Sequence, residues 1–221
     1  MLLHENAPTV LRWAFGYTRV RKDVAVDHPP LIKTELPPID GRYALTFVEL
    51  VELMYVRGFQ RAGASWPLIK EAAYIAAKLY HADHPFALRS FLADPRGIYA
   101  VLRETDGAES LIHLVGHGQH ALAELVRPCL GHLDFDIHDV ANRWWPMGRE
   151  GRVAVDPRYS FGAPIVEEVG IRTKVLSDAF YAERKDSPDH AIDRVAWLYE
   201  VRPDHVELAL RFKSWLQKDP V

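Results

Sequence analysis

The feature that most constrains this 221-residue chain lies between Thr46 and Tyr80, where two helical patterns follow each other across a short turn. Thr46 is placed to cap a helix, and Glu49 stands three residues on as its capping-box partner. Phe47, Leu50, Val51 and Met54 then recur on one face. Gly63 is a C-terminal stop. A second helix is predicted from Ser65, with Pro67 in its first turn. Its stripe is Leu68, Ile69, Ala72, Ala73, Ala76, Leu79 and Tyr80, which leaves Lys70, Glu71, Tyr74 and Lys78 on other faces. Two helices joined by a glycine-bearing turn of about four residues trace the helix-turn-helix outline, an outline shared by helical hairpins that bind nothing. Strands predicted at Ile98–Leu102 and Leu111–Val115, around a polar tip with Asp106 and Gly107, supply a hairpin in the position of a wing. A short helix is expected over His120–Val126.

The flanks read differently. Residues 1–43 hold a short helical pattern around Pro8–Phe15 and a basic stretch, Arg19-Val20-Arg21-Lys22. Pro29-Pro30 and Pro37-Pro38 follow and disfavour helix before them, so the segment reads as an extended arm. Residues 131–152, with Gly131, Trp144-Trp145-Pro146 and Gly148, read as a linker. Beyond it a strand at Val153 and Val155 ends in Asp156-Pro157. A loop (Phe161-Gly162-Ala163-Pro164) and a strand at Ile165–Val166 come next. Thr173 is expected to cap a helix running to about Glu183, and Ser187-Pro188 to start another with Ala191, Ile192, Val195, Ala196 and Tyr199 inward. Pro203 opens the last helix. The expectation is a mainly α protein of two domains, residues 1–130 and 153–221, each carrying a helix-turn-helix-like unit with short strands.

Composition narrows the function classes. With 48% apolar and 11% aromatic residues the chain suits a packed core rather than a disordered segment. It has no run of 18 apolar residues, so no membrane span is predicted, and its single cysteine, Cys129, suits a reducing cytoplasm. Net charge is zero over residues 1–128 and −3 over residues 129–221, so any nucleic-acid contact requires a local patch, and the front half suits one better.

The run Leu45-Thr46-Phe47-Val48-Glu49-Leu50-Val51-Glu52-Leu53, then Gly63, then His84-Pro85-Phe86-Ala87, resembles the MerR-like DNA-binding domain of VapB-type antitoxins. Val155-Asp156-Pro157, Phe161-Gly162-Ala163-Pro164, Thr173 and Ala196…Tyr199 are similar to a small homeodomain-like domain, long of unknown function, widespread in bacterial antitoxin-like proteins. The resemblance covers about residues 9–127 and 150–216. It implies a type II antitoxin that neutralises a partner ribonuclease toxin of the PIN class and represses its own promoter as a homodimer on double-stranded DNA. Thr9-Val10-Leu11-Arg12-Trp13…Gly16-Tyr17 resembles the second helix of that family's N-terminal helix-turn-helix, whose first helix would lie upstream of Thr9.

The nucleic-acid candidates are Arg12, Tyr17, Arg19, Arg21, Lys22, Lys70 and Lys78, because phosphates need cations and the guanine edge needs a two-pronged donor. The partner or dimer candidates are Trp144, Trp145, Leu208, Phe212, Trp215 and Leu216, large apolar groups in excess of what a short helix needs. The first turn of the last helix carries Asp204 and Glu207, which would repel phosphate. His113, His117, His120, Cys129 and His132 could in principle hold zinc, and Asp134, Asp136 and Asp139 could hold magnesium, but neither set is expected to do so. No nucleophile motif or phosphate-binding loop is present. No cofactor and no enzyme activity are expected. The alternative reading is a MerR-like transcriptional regulator whose C-terminal domain senses a small molecule.

Overall fold

The computed structural model describes residues 2–3, 5–38, 40–88, 90–93, 97–103, 109–116 and 133–218. Among them are six α-helices and several small antiparallel sheets, a mixed architecture with more sheet than the sequence pattern predicts. The chain forms two compact units: Glu5–Leu130 with Phe135–Ala141, and Gly131–Asp134 with Asn142–Val221 and the N-terminal residues Met1–His4.

The first unit opens with α1 (Ala7–Phe15), capped by Asn6, whose Oδ1 accepts from Thr9 N at 2.8 Å. The expected extended arm is then replaced by an antiparallel hairpin, β1 (Tyr17–Arg21) and β2 (Val24–His28). Its two turn residues, Lys22 and Asp23, have φ of 50° and 60°, the left-handed geometry of a tight two-residue turn. Lys-Asp is not a common pair for that turn, so the alternating segment Tyr17–His28 lacked its usual punctuation.

The central helix α2 (Phe47–Arg61) has the predicted capping box, Thr46 N donating to Glu49 Oε2 at 2.7 Å and Glu49 N to Thr46 Oγ1 at 3.3 Å. It ends at Gly63, where Ala64 N donates to Phe59 O and Gly63 N to Gln60 O. Of the predicted stripe on α2, Val51 and Met54 are inaccessible while Phe47 and Leu50 are half-buried, and Leu53, Tyr55, Val56, Phe59, Glu49 and Glu52 are inaccessible as well. α3 (Trp66–Tyr80) follows and buries Ile69, Ala72 and Ala76, while Leu79, expected on that face, is exposed.

The predicted strands appear as β4 (Gly97–Arg103) and β5 (Glu109–Gly116), joined by an unpredicted β3 (Ser90–Ala93) into a sheet of order β3-β4-β5. This sheet packs on α3 and buries Phe91, Ile98, Tyr99, Ala100 and Leu114. Tyr55, Phe59, Phe86 and Phe91 form an aromatic cluster with ring centroids 4.9–6.3 Å apart. The hairpin tip at Asp106-Gly107 and the helix expected over His120–Val126 lie outside the described residues.

The expected linker is structured. β6 (Leu133–Phe135) and β7 (Ala141–Trp144) pair, and Trp144 bridges to Val155. In the second unit β8 (Val153–Ala154), β9 (Ile165–Val166) and β10 (Ile171–Arg172) form an antiparallel meander. Helices α4 (Thr173–Asp186), α5 (Ala191–Leu198) and α6 (Pro203–Gln217) pack on one another. Val166, Leu176, Val195, Ala196, Val206, Leu208 and Ala209 make their core. Thr173 is the first helical residue rather than the cap. Its Oγ1 donates to Pro164 O at 3.3 Å, fastening the helix start to the preceding loop. Ser187 closes α4, and α5 starts at Ala191 instead of at Ser187-Pro188.

Candidate nucleic-acid and partner interfaces

Arg12, Tyr17, Arg19 and Arg21 are brought together by the junction between α1 and β1. Gly16 turns the chain there with φ of 73°. A Cβ in its place would stand 2.6 Å from His28 O, so the crossing of strand start and strand end admits only glycine. Leu31 N donates to Trp13 O at 2.8 Å and returns the chain to the helix. At the ribbon base the Tyr17 and His28 rings stack at 4.5 Å, and the Arg12 guanidinium lies 5.5 Å from the Tyr17 centroid.

Strand alternation fixes the faces. Tyr17, Arg19 and Arg21 share one side with Val24, Val26 and His28, while Thr18, Val20, Ala25 and Asp27 share the other, where Thr18 Oγ1 donates to Asp27 Oδ1 at 2.7 Å. Every ribbon residue except His28 is exposed, so the hairpin contributes nothing to the core on either face. Arg19, Arg21 and Lys22 have no carboxylate within ion-pair distance among the described residues. The face is cationic and aromatic, and a two-stranded ribbon has the width of a major groove.

Lys70 and Lys78 stand on the exposed side of α3. The Lys78 ammonium sits 4.2 Å over the Tyr74 ring, and Lys70 borders a groove of about 320 Å³ between α3 and the Pro29–Lys33 segment. Beneath that groove the acids of α2 are structural. Glu49 accepts from the Glu35 N–H at 2.5 Å as well as from Thr46. Glu52 accepts from Phe86 N at 3.3 Å and lies 2.9 Å from His84 Nδ1. Burial raises the Glu52 carboxyl above its ordinary value, and its hydrogen bond raises the His84 imidazole. The acidic positions of the Leu45–Leu53 run therefore hold the segments around Glu35 and His84 against α2.

The predicted partner residues divide by burial. Trp144, Trp145, Leu208 and Phe212 are buried within their own unit and serve its packing, whereas Trp215 and Leu216 remain half-exposed. Phe212 and Trp215 stack at 5.5 Å, and Trp144 meets Trp215 edge-on at 6.5 Å. Trp145 Nε1 donates to Asp134 Oδ2 at 3.0 Å, and Arg149 also pairs with Asp134. Asp136 accepts from the N–H groups of His138 and Val140, a turn-forming role. No cluster of three or more potential metal ligands occurs among the described residues. His117, His120, Cys129 and His132 lie outside them.

What the sequence reading missed is the apolar surface of the second unit. Phe161 is fully exposed at 105% relative accessibility, Trp197 is 82% exposed and Leu198 57%. Trp197 was detectable, because it falls off the α5 stripe of Ala191, Ile192, Val195, Ala196 and Tyr199. The conformation that presents Phe161 had no sequence signal. Asp156, buried at 1%, anchors its loop. Burial would raise this carboxyl, but the Arg158 side chain and N–H, with the Arg143 guanidinium, outweigh that and hold it at about 2. A second ionic network ties Glu168 to Arg202, His205 and Arg152, and Asp204 to Arg202 and Arg152, with both carboxyls at about 2.

No family model matches the chain. It is 28% identical over 212 residues, 91% of its own length and 85% of the relative's, to the Mycobacterium tuberculosis protein named "Putative antitoxin VapB45". The crystal structure of Rv2018, also from Mycobacterium tuberculosis, superposes with a TM-score of 0.59 at 21% identity, over 95% of this chain and 92% of that one. The two proteins thus share a fold along nearly their whole lengths. No helix among the described residues is long and apolar enough to cross a membrane.

Proposed function

We propose that this chain is the antitoxin of a toxin–antitoxin pair. In this reading it binds and neutralises a PIN-type ribonuclease toxin and, as a homodimer in the cytoplasm, represses its own operon by binding promoter DNA. The observation that carries this reading is the likeness to a protein named as a VapB antitoxin, which runs through both units rather than through one shared domain. The chain is read as a binding protein with no catalytic centre and no cofactor. The exposed β1–β2 ribbon supplies the cations a DNA-binding surface needs, and the second unit supplies exposed aromatics of the kind that anchor protein interfaces. Arg12, Tyr17, Arg19, Arg21 and Lys22 are assigned to the DNA face, with Lys70 and Lys78 on α3 as a second set.

Co-expression with the product of the adjacent gene, followed by sizing with light scattering and a ribonuclease assay, tests the reading. A stable complex with suppressed ribonuclease activity is the expected result. Separate elution with toxicity unrelieved would overturn it and favour the plain transcriptional regulator.

A further inference from the structure

The two strands of the β1–β2 ribbon bring different chemistry to one face. β1 places Tyr17, Arg19 and Arg21 there, and β2 sets Val24 and Val26 opposite them, in the cross-strand pairs Arg19–Val26 and Arg21–Val24. Both valines are exposed, Val24 at 61% and Val26 at 46%. Neither side of the ribbon closes over a core, so burial in the fold does not account for them. The other face holds Thr18, Val20, Ala25 and Asp27, with a carboxylate in place of the arginines, and would repel phosphate. Arginines alone suffice to hold DNA by its phosphates. Two valines set opposite them add nothing to that attraction.

We infer that Val24 and Val26 are specificity-determining residues that touch thymine methyl groups in the major groove, while Arg19 and Arg21 hold the flanking phosphates. Phosphate contacts fix a protein on the duplex without reading its sequence, and discrimination comes from contacts to base edges. The thymine 5-methyl is an apolar group on such an edge, and it stands in the major groove, which admits a two-stranded ribbon. Valine has no hydrogen-bonding group in its side chain, so a methyl contact is the readout open to it. The longer arginines reach the groove wall while the valines stay over its floor. Residues two apart on a strand are separated by about 6.8 Å, and two base-pair steps of B-DNA rise by about the same distance. The two valines therefore address thymines within about two base pairs of each other. The inference names the sequence readout of the proposed promoter-binding face and rests on that reading.

The experiment measures binding of the full chain to two duplexes of its own promoter, one with thymine and one with deoxyuridine throughout. Deoxyuridine keeps the base pairing and the phosphates and removes only the 5-methyl group. Wild type is compared with the double variant Val24→Ala, Val26→Ala and with Val20→Ala, the same change on the opposite face, all with unchanged circular dichroism. Wild type should bind the thymine duplex about tenfold more tightly, from two buried methyl groups at roughly fourfold each. The double variant should bind both duplexes alike, close to wild type on deoxyuridine. Its slope of log K against log salt should match wild type, because no phosphate contact is removed. Val20→Ala should keep the wild-type preference. Wild type indifferent to the methyl group would overturn the inference and leave promoter binding through the arginines standing. A double variant that keeps the preference would also overturn it, because the methyl effect would then act through the stiffness of the DNA. Loss of the preference in Val20→Ala would overturn the choice of face. Wild type that binds neither duplex would overturn the promoter-binding reading and the inference with it.

Discussion

Two antiparallel β elements of the first unit stand in contrast. The β3-β4-β5 sheet buries Phe91, Ile98, Ala100 and Leu114 and shares Phe91 with the aromatic cluster on α2. The β1–β2 ribbon has no fully buried residue and exposes Val20, Val24 and Val26 at 46–68%, alongside Arg19 and Arg21, which have no ion-pair partner among the described residues. Both are antiparallel and hydrogen-bonded strand to strand. What differs is whether apolar area leaves water, and that decides which one stabilises the fold. A hairpin that contributes little to stability yet keeps a fixed base through Gly16, the Tyr17–His28 stack and the Leu31–Trp13 hydrogen bond is a presented surface.

The largest expected effect that separates core from ribbon is Phe86→Ala, which should cost about 3–5 kcal/mol in denaturant unfolding because Phe86 lies between Phe59 and Phe91. The same measurement on Val24→Ala should move stability by no more than about 0.5 kcal/mol, and a larger loss would mean the ribbon is packed after all. Glu52→Ala comes next, at about 1–3 kcal/mol, since it leaves the Phe86 N–H and His84 Nδ1 without their partner, while His84 Nε2 keeps Glu35 at 3.3 Å. The His84 imidazole is raised when folded. Its contribution is therefore complete below the ordinary value of 6.5 and lost as pH rises through the folded value. The gap between wild type and Glu52→Ala should narrow on the alkaline side. In the second unit the sign reverses. Asp156 is held at about 2 against an ordinary 3.8, so its contribution of about 2 kcal/mol is present above 3.8 and disappears as pH falls towards 2. Asp156→Asn should cost that amount at neutral pH and converge with wild type in acid.

Sequence pattern was legible where one signal and one environment agree. The capping box at Thr46–Glu49, the Gly63 stop, the strands at 98–102 and 111–115 and the start of α6 at Pro203 are local codes, and the structure has them in place. The ribbon was not legible, because its turn is Lys-Asp and its alternation mixes valines with charges on two solvent faces. The position of β3 depends on pairing with β4, a non-local fact. Of the candidate residues, Arg12, Tyr17, Arg19 and Arg21 could be named by chemistry, but only the folding of Tyr17–Arg21 into a strand puts the last three on one face, and the register adds Val24, Val26 and His28 to it. Leu208 and Phe212 looked like surplus apolar area because the spacing of α6 does not reveal that α4 lies along it.

The smallest stability effect belongs to the variant that matters most for function. Replacing Arg19 and Arg21 together with alanine should leave unfolding within about 0.5 kcal/mol of wild type. The most direct measurement is therefore binding of that variant and of wild type to the chain's own promoter DNA across a salt series. If the ribbon is the DNA face, affinity falls and the slope of log K against log salt becomes shallower by about two, one for each phosphate contact removed. An unchanged slope with unchanged affinity would contradict the account and return the DNA-binding role to α3, through Lys70 and Lys78.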